Sequence, residues 1–291
     1  MARWLALALA AIGVLSASAC HRAPTIAAHP ALWRVQDGDT TIWLFGTIHL
    51  LPARVDWQTP AVKRAIATSD TLVTEIPDGN VASQAATFLK IARAPGLAPV
   101  VTRVPAAAQS TLRAAATASG VPLATLDGMK SWAAAVAIAV GSSRAADASV
   151  ENGVETGLFA AFAERRRLAF ETLAGQLSLF DALREDQQRL LLARSAAEAL
   201  SAKASYAATL DAWAAGDERR IAASFDPTFR GAPALEAAVL TNRNAHFAGW
   251  IARRMATPGS VLVAVGAGHL VGPKSVVAML RARGLRVERV E

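Results

Sequence analysis

Ser260–Gly272 reads SVLVAVGAGHLVG, and Thr40–Leu50, near the other end of the chain, reads TTIWLFGTIHL. Each is a short apolar run followed by Gly-x-x-His: Gly46-Thr47-Ile48-His49 in the first and Gly266-Ala267-Gly268-His269 in the second. The runs are rich in β-branched and aromatic residues and stop at glycine, the pattern of buried strands. Glycine at a strand end permits a sharp turn or a close backbone approach, which makes Gly46 and Gly266 part of the candidate site. Each histidine then sits just beyond a strand's carboxyl end, where open α/β sheets hold their ligands. Two histidines so placed, over 200 residues apart, predict one site built from both ends. For that, Thr40–Phe45 and Val261–Val265 must be neighbours or near neighbours pointing the same way.

Working outward from the first motif, Leu32–Asp37 and Thr40–Phe45 flank Gly38-Asp39 and read as a hairpin. Thr59-Pro60 is an N-cap with proline at the first helical position, opening a helix to about Ser69. Thr71–Ile76 is the next strand, so Thr40–Ile76 forms a strand–helix–strand unit long enough for a parallel crossover. From Asn80 to Val140 the pattern is helical and alanine-rich, Glu151–Arg167 is a further helix and Leu168–Leu173 a short strand. Asp181–Gly216 reads as long helix, a hairpin or bent pair, and Pro227 and Gly231 interrupt the helical pattern. A helix from about Ala234 to Met255 feeds the second motif's strand, Pro273–Arg283 is the last helix, and Leu285–Val290 closes the chain as a strand. The expected fold is α/β: a central mixed, largely parallel sheet built from both chain ends, with a large helical insertion. In residue numbers, one domain spans 32–291, its α/β core at about 32–77, 168–173 and 241–291 and its insert at about 80–167 and 178–240.

The chain has 291 residues, is 53% hydrophobic and carries a net charge of +7. Its arginines are dispersed, with no basic stripe interleaved with aromatics, so nucleic acid is not an expected partner. A single cysteine, Cys20, excludes an intrachain disulfide and a cysteine-rich metal site. Arg3, the apolar run Trp4–Val14 and Ala17-Ser18-Ala19 have the layout of a signal peptide over residues 1–19, too short to span a membrane as a helix. Cys20 follows the cleavage site directly, as in a bacterial lipoprotein signal, although Ala17 stands where leucine is more usual, so ordinary cleavage after Ala19 stays open. The expectation is an exported chain, in the cell envelope or periplasm, anchored to the membrane by a lipid at Cys20, with residues 20–31 as a tether.

Glu75 lies near the end of an otherwise apolar strand, where a carboxylate has to be paired, liganded or at the open edge of the sheet. Two histidines and a carboxylate at the ends of parallel strands make a common ligand set for a divalent metal with open positions. Glu151 and Glu155 lie four apart on a helical face. Arg243, Asn244 and His246 lie in the helix before the last core strand, and Arg243 is suited to holding a carboxylate or stabilising an oxyanion. The loop Gly266–Gly272 has a rival reading as a dinucleotide-binding turn with Glu288 some 20 residues on, but the chain leaves no room for the rest of such a unit. Trp33, Trp43 and Trp57 read as core.

Leu32-Trp33-Arg34-Val35 with Gly38-Asp39, Leu44-Phe45-Gly46-Thr47-Ile48-His49, Pro52, Glu75, Asn242-Arg243-Asn244, Val263–Leu270 and Arg283-Gly284-Leu285 together resemble the TraB/GumN family. The chain is similar to the Tiki metalloproteases and more distantly to the haem-binding ChaN lipoproteins. The resemblance runs from about residue 32 to 290. It implies an α/β core with a helical insert and a metal-dependent, peptidase-like site. His49, Glu75 and His269 would be the metal-binding residues, Glu75 either a third ligand or the general base, and Arg243 and Asn244 would stand beside them. The implied metal is Mn, Co, Zn or Fe and the implied substrate a peptide or protein. Gly153-Val154-Glu155 matches a family Gly-Val-Asp/Glu pattern and so adds Glu155. The ChaN likeness implies the alternative of a haem or small-ligand carrier using the same histidines.

Overall fold

The computed structural model describes residues 25–143 and 148–291; the signal-peptide segment, Cys20 and the start of the tether lie outside them. Six strands form the main sheet: β1 Leu32–Gln36, β2 Thr40–Thr47, β3 Thr71–Thr74, β4 Arg166–Ala169, β5 Gly259–Gly266 and β6 Val287–Arg289. Their spatial order is β6-β1-β2-β5-β3-β4. The β1–β2 hairpin is antiparallel, β6 runs antiparallel to β1, and β2, β5, β3 and β4 are mutually parallel. The fold is therefore α/β with a mixed, mostly parallel sheet. The last long strand, β5, fits between the two strands of the first crossover unit, pairing Thr47 with Gly266 on one side and Thr74 with Ala264 on the other.

Burial explains the central strands. Ile42 through Phe45 and Val261 through Val265 are each at most 4% exposed, as expected for parallel strands covered on both faces. Trp33, Trp43 and Trp57 are core residues. Helix Pro60–Thr68 starts as its sequence dictates, Thr59 Oγ1 accepting from Val62 N at 3.2 Å. A second apolar cluster belongs to the helical middle, built around Trp132, Leu112, Ile138 and Leu192. Arg103, 4% exposed, ties that region together by donating to the carbonyls of Ala98, Asp127 and Met129.

Several element boundaries differ from the sequence reading. The expected helix Glu151–Arg167 is the shorter Val154–Ala161, and the strand expected at Leu168–Leu173 lies two residues earlier, because Arg166-Arg167 pair with Thr71-Leu72 on an exposed sheet edge. Glu151 falls in the turn before the helix, so it shares no helical face with Glu155. The hairpin or bent pair expected over Asp181–Gly216 is two helices, Glu185–Ala199 and Ala202–Ala214, and a further helix, Leu173–Asp181, precedes them. Pro227 sits inside helix Glu218–Phe229, close enough to its end that Arg194 takes up the carbonyls of Thr228 and Arg230. The last helix begins at Val276, capped by Ser275, and not at Pro273. Helices Val154–Ala161 and Ala202–Ala214, which the sequence reading gave to the insert, place Val154, Leu158, Leu210 and Trp213 in the core of the sheet.

Candidate functional site

All four parallel strands end at the same edge of the sheet, and each delivers a polar side chain there: His49 after β2, His269 after β5, Glu75 after β3 and Glu171 after β4. The approach of the two motifs requires glycine: a Cβ on Gly46 would stand 3.1 Å from the Ala267 Cα. At Gly266 a Cβ would have Glu75 Oε1, His269 Cδ2 and His49 Nε2 at 3.2, 3.8 and 3.9 Å, so the three side chains converge on one point. The backbone around His49 is held from outside the sheet. Trp213 Nε1 donates to Gly46 O at 2.8 Å and Tyr206 Oη to Leu50 O at 2.7 Å. Gly153-Val154 docks on the same loop, Val154 N donating to Ile48 O at 3.2 Å, and Gly153 lies so close that a Cβ would collide with His49 O.

Glu75 is 7% exposed, one residue beyond its strand, and accepts from Gly266 N at 2.7 Å, from Gln176 Nε2 at 3.2 Å and from Arg243 Nη2. Arg243, also 7% exposed, puts its guanidinium into the cluster, reaching Glu171 through Nε at 3.1 Å and His269 Nε2 through Nη1 at 3.1 Å. His269 Nε2 is 3.6 Å from Glu75 Oε1. Asn244 donates Nδ2 to Lys274 O at 2.8 Å, which turns its Oδ1 toward His269 Nδ1 at 2.6 Å. That contact requires the proton on Nδ1 and leaves a lone pair on Nε2, facing Glu75 and Arg243. His49 is anchored in the same sense, Nδ1 lying 2.8 Å from Glu155 Oε1, and Thr47 Oγ1 donates to that same oxygen. Asn242, Arg243 and Asn244 follow directly on a π-helical turn, Ala237–Thr241, which interrupts the helix where the sequence reading had it continuous.

The two histidines have opposite titration behaviour. Burial lowers His269 to about 4, against the pull of Glu75 and with the help of the Arg243 charge, so it is neutral. For His49 burial also works downward, but the Glu155 carboxylate, with Glu75 behind it, overrides this and raises it to about 9. The His49 side chain is 63% exposed, and solvent moderates both effects. Burial would raise Glu75, but His269, Arg243 and His49 bring it down to about 2. Burial opposes the charge on Arg243 as well, and the Glu171 and Glu75 carboxylates more than restore it.

Among the described residues no group of three or more His, Cys, Asp or Glu side chains is disposed as a ready metal cage. The donors nevertheless fit a divalent cation in kind. Glu75 and His269 stand at ligand spacing, and both imidazoles are held through Nδ1 with Nε2 turned inward, the usual support for metal-binding histidines. Two carboxylates, Glu75 and Glu171, share the one permanent cation of the cluster, Arg243, and a third, Glu155, pairs with His49. An ion at this place requires the guanidinium to cede Nε2 of His269.

His246 is not part of the cluster: it is exposed, its ring edge-on to Phe170 at 6.3 Å. Glu171, Gln176 and Thr47 were not singled out from the sequence. With β4 placed at Arg166–Ala169, Glu171 has the same signal as Glu75, a carboxylate just past the end of a strand in the sheet. Glu288 pairs with Arg34 and Arg286 on the antiparallel strand β6, far from any dinucleotide geometry.

Fold and site together define an α/β protein with an ionisable cluster at the carboxyl ends of its parallel strands. The model of the TraB/PrgY/gumN family matches residues 31–289, and the chain belongs to that family. No curated protein and no solved structure matches it.

Proposed function

We propose that the protein is an exported, metal-dependent hydrolase of the peptidase class, with His49, His269 and Glu75 as the metal-binding residues. The observation that supports this reading most is the pair of imidazoles, each anchored at Nδ1, that meet a buried carboxylate over Gly266, His49 through Nε2 and His269 through Cδ2. A bound divalent cation supplies Lewis acidity toward a carbonyl oxygen and makes water a stronger acid. The chain's own part is to hold and orient. Asn244 fixes the tautomer of His269 and Glu155 the orientation of the His49 ring, Gly266 N and Gln176 fix the Glu75 carboxylate, and Glu171 holds the Arg243 guanidinium beside the place where negative charge develops. Glu75 serves as ligand or as the proton acceptor for the attacking water, both within reach of its two oxygens.

The test is reconstitution with Mn, Co, Zn or Fe, followed by metal analysis and an assay on a mixed peptide digest. Retention of about one ion per chain, lost in His269→Ala together with hydrolysis, supports the reading; no retained metal, with His49→Ala changing nothing, ends it. A second reading, haem or small-ligand carriage without catalysis, draws on the apolar cavity of about 540 Å³ that adjoins both histidines. A haem titration that gives a Soret band, abolished in His269→Ala, favours that alternative.

A further inference from the structure

Two cavities meet at the cluster. One, about 540 Å³, lies between the sheet edge and the helical region and is walled by Val136, Leu177, Phe180, Phe225, Phe229 and Val239. The other, about 450 Å³, opens on the opposite side among Ile76, Pro77, Val81, Val150 and Phe159, with Asp78, Glu151 and Glu155 at its margin. Among the described residues the side chains common to both are His49, Glu75 and Gln176, so this part of the candidate site is the partition between them, while His269 and Arg243 line the first cavity. Space on both sides of a reacting centre suits a chain that passes across it, since a linear polymer cut in its interior must be held on either side of the broken bond. A ligand attached by one end would need a single chamber.

The chambers differ in chemistry. Six branched or aromatic side chains surround the first, large enough for a Phe, Leu or Met side chain, which is better placed there than in water. Four carboxylates and no lysine or arginine line the second among the described residues; Glu75, Asp78 and Glu155 are paired with Arg243, Arg167 and His49, which leaves the exposed Glu151 at its margin as the main like charge, and Val81 and Val150, 72% and 55% exposed, form its lips. An acidic side chain there meets like charge.

Resting on the hydrolase reading above, we propose that the substrate is an extended peptide laid across the partition, with a large apolar side chain in the first chamber and no acidic residue in the second. Neutral and basic residues are both accepted in the second chamber. The helical region thus supplies the specificity wall, and the sheet edge the chemistry.

A fluorogenic peptide library, varied at each position around the cut and assayed with metal-loaded full-length protein, tests this. The expected result is a preference of tenfold or more for Phe, Leu or Met over Ala at one position, and exclusion of Asp and Glu at a position across the cut. Val136→Trp, which fills the first chamber, should shrink the Phe-to-Ala ratio of kcat/KM about tenfold; Phe229→Ala, which enlarges it, should move the preference toward Trp. Each variant's thermal melt is compared with the parent's, and if one fails to fold the other carries the test. Cutting without any such preference overturns the proposal and leaves the hydrolase reading intact. If no peptide is cut, fluorescence polarisation with the same peptides decides it: binding with the apolar preference upholds the proposal, and no binding overturns it. A palmitoyl ester bound or cut in preference to every peptide overturns it in favour of an acyl chamber.

Discussion

The buried end of Asn244 decides what His269 can do. Its amide is oriented by Lys274 O, so the imidazole carries its proton on Nδ1 and offers Nε2 to the cluster. Replacing Asn244 with Ala removes that constraint without touching any proposed ligand. The expected outcome is a 10- to 100-fold loss of metal affinity, measured by titration calorimetry, with the fold retained; unchanged affinity would show that the tautomer is not fixed from this side. The same cluster sets the pH dependence of the metal-free protein. An unfolded histidine titrates near 6.5 and His269 in the fold near 4. The unfolded chain therefore binds the proton first, and the stability that His269 contributes above about pH 6.5 is lost as pH falls toward 4. Glu75, at about 2 against an ordinary value near 4.5, extends the loss between those two values. His49 acts in the other direction: raised to about 9, it contributes below pH 6.5 and loses that contribution as pH climbs toward 9. Urea unfolding in the presence of a chelator should give a stability maximum near pH 6.5, and His269→Gln should flatten its acid side between 4 and 6.5.

Among the elements, the turn before Val154–Ala161 is the most exacting. Gly153 has an ordinary negative φ of −58°, so its glycine is required not by backbone conformation but by the His49 carbonyl, 2.1 Å from where a Cβ would be. Gly153→Ala should cost about 1–3 kcal/mol in denaturant unfolding and should displace His49 enough to lower hydrolysis at unchanged protein concentration. A stability equal to the parent's would mean that the loop moves aside freely. That loop also marks where the sequence was legible and where it was not. Gly46 and Gly266 announced the motifs because a strand ending in Gly-x-x-His is a local pattern, and Thr59-Pro60 announced its helix for the same reason. The position of β4 was not legible: Arg166 and Arg167 are poor strand formers by composition, and they pair only because the free edge of Thr71–Thr74 is there to receive them. Glu171 was missed with it. The break at 182–184 is likewise tertiary, since helix Glu185–Ala199 turns to pack beside Ser131–Ser143 and Gln188 takes the carbonyl of Leu183 in passing.

For the molecule as a whole, the sheet-centred core and the helical cluster are distinct apolar bodies, and the candidate site lies where the sheet edge faces the helices. The sequence expectation that both chain ends build the sheet rested on the strand-like runs clustering at those ends around a helical middle, and the observed order β6-β1-β2-β5-β3-β4 is consistent with it. The sequence alone could not place β5 between β2 and β3, because equivalent apolar runs carry no label of their neighbour. The proposed export has its own test. Mass spectrometry of the membrane fraction should find a mature chain starting at a lipidated Cys20, and Cys20→Ala should move the protein to the soluble fraction, because the several acyl chains of such an anchor hold where one would not. A soluble chain with a free thiol at Cys20 would rule the anchor out.

The central position of β5 has a consequence for synthesis. Until residue 266 has emerged, β2 and β3 lack the strand that joins them, Glu75 lacks the Gly266 amide, and His269 does not yet exist. At every earlier stage of synthesis the proposed centre is therefore incomplete. The proposed activity can begin only once the chain has grown past residue 269, because the strand and the histidine that complete the centre come after the other proposed ligands, His49 and Glu75.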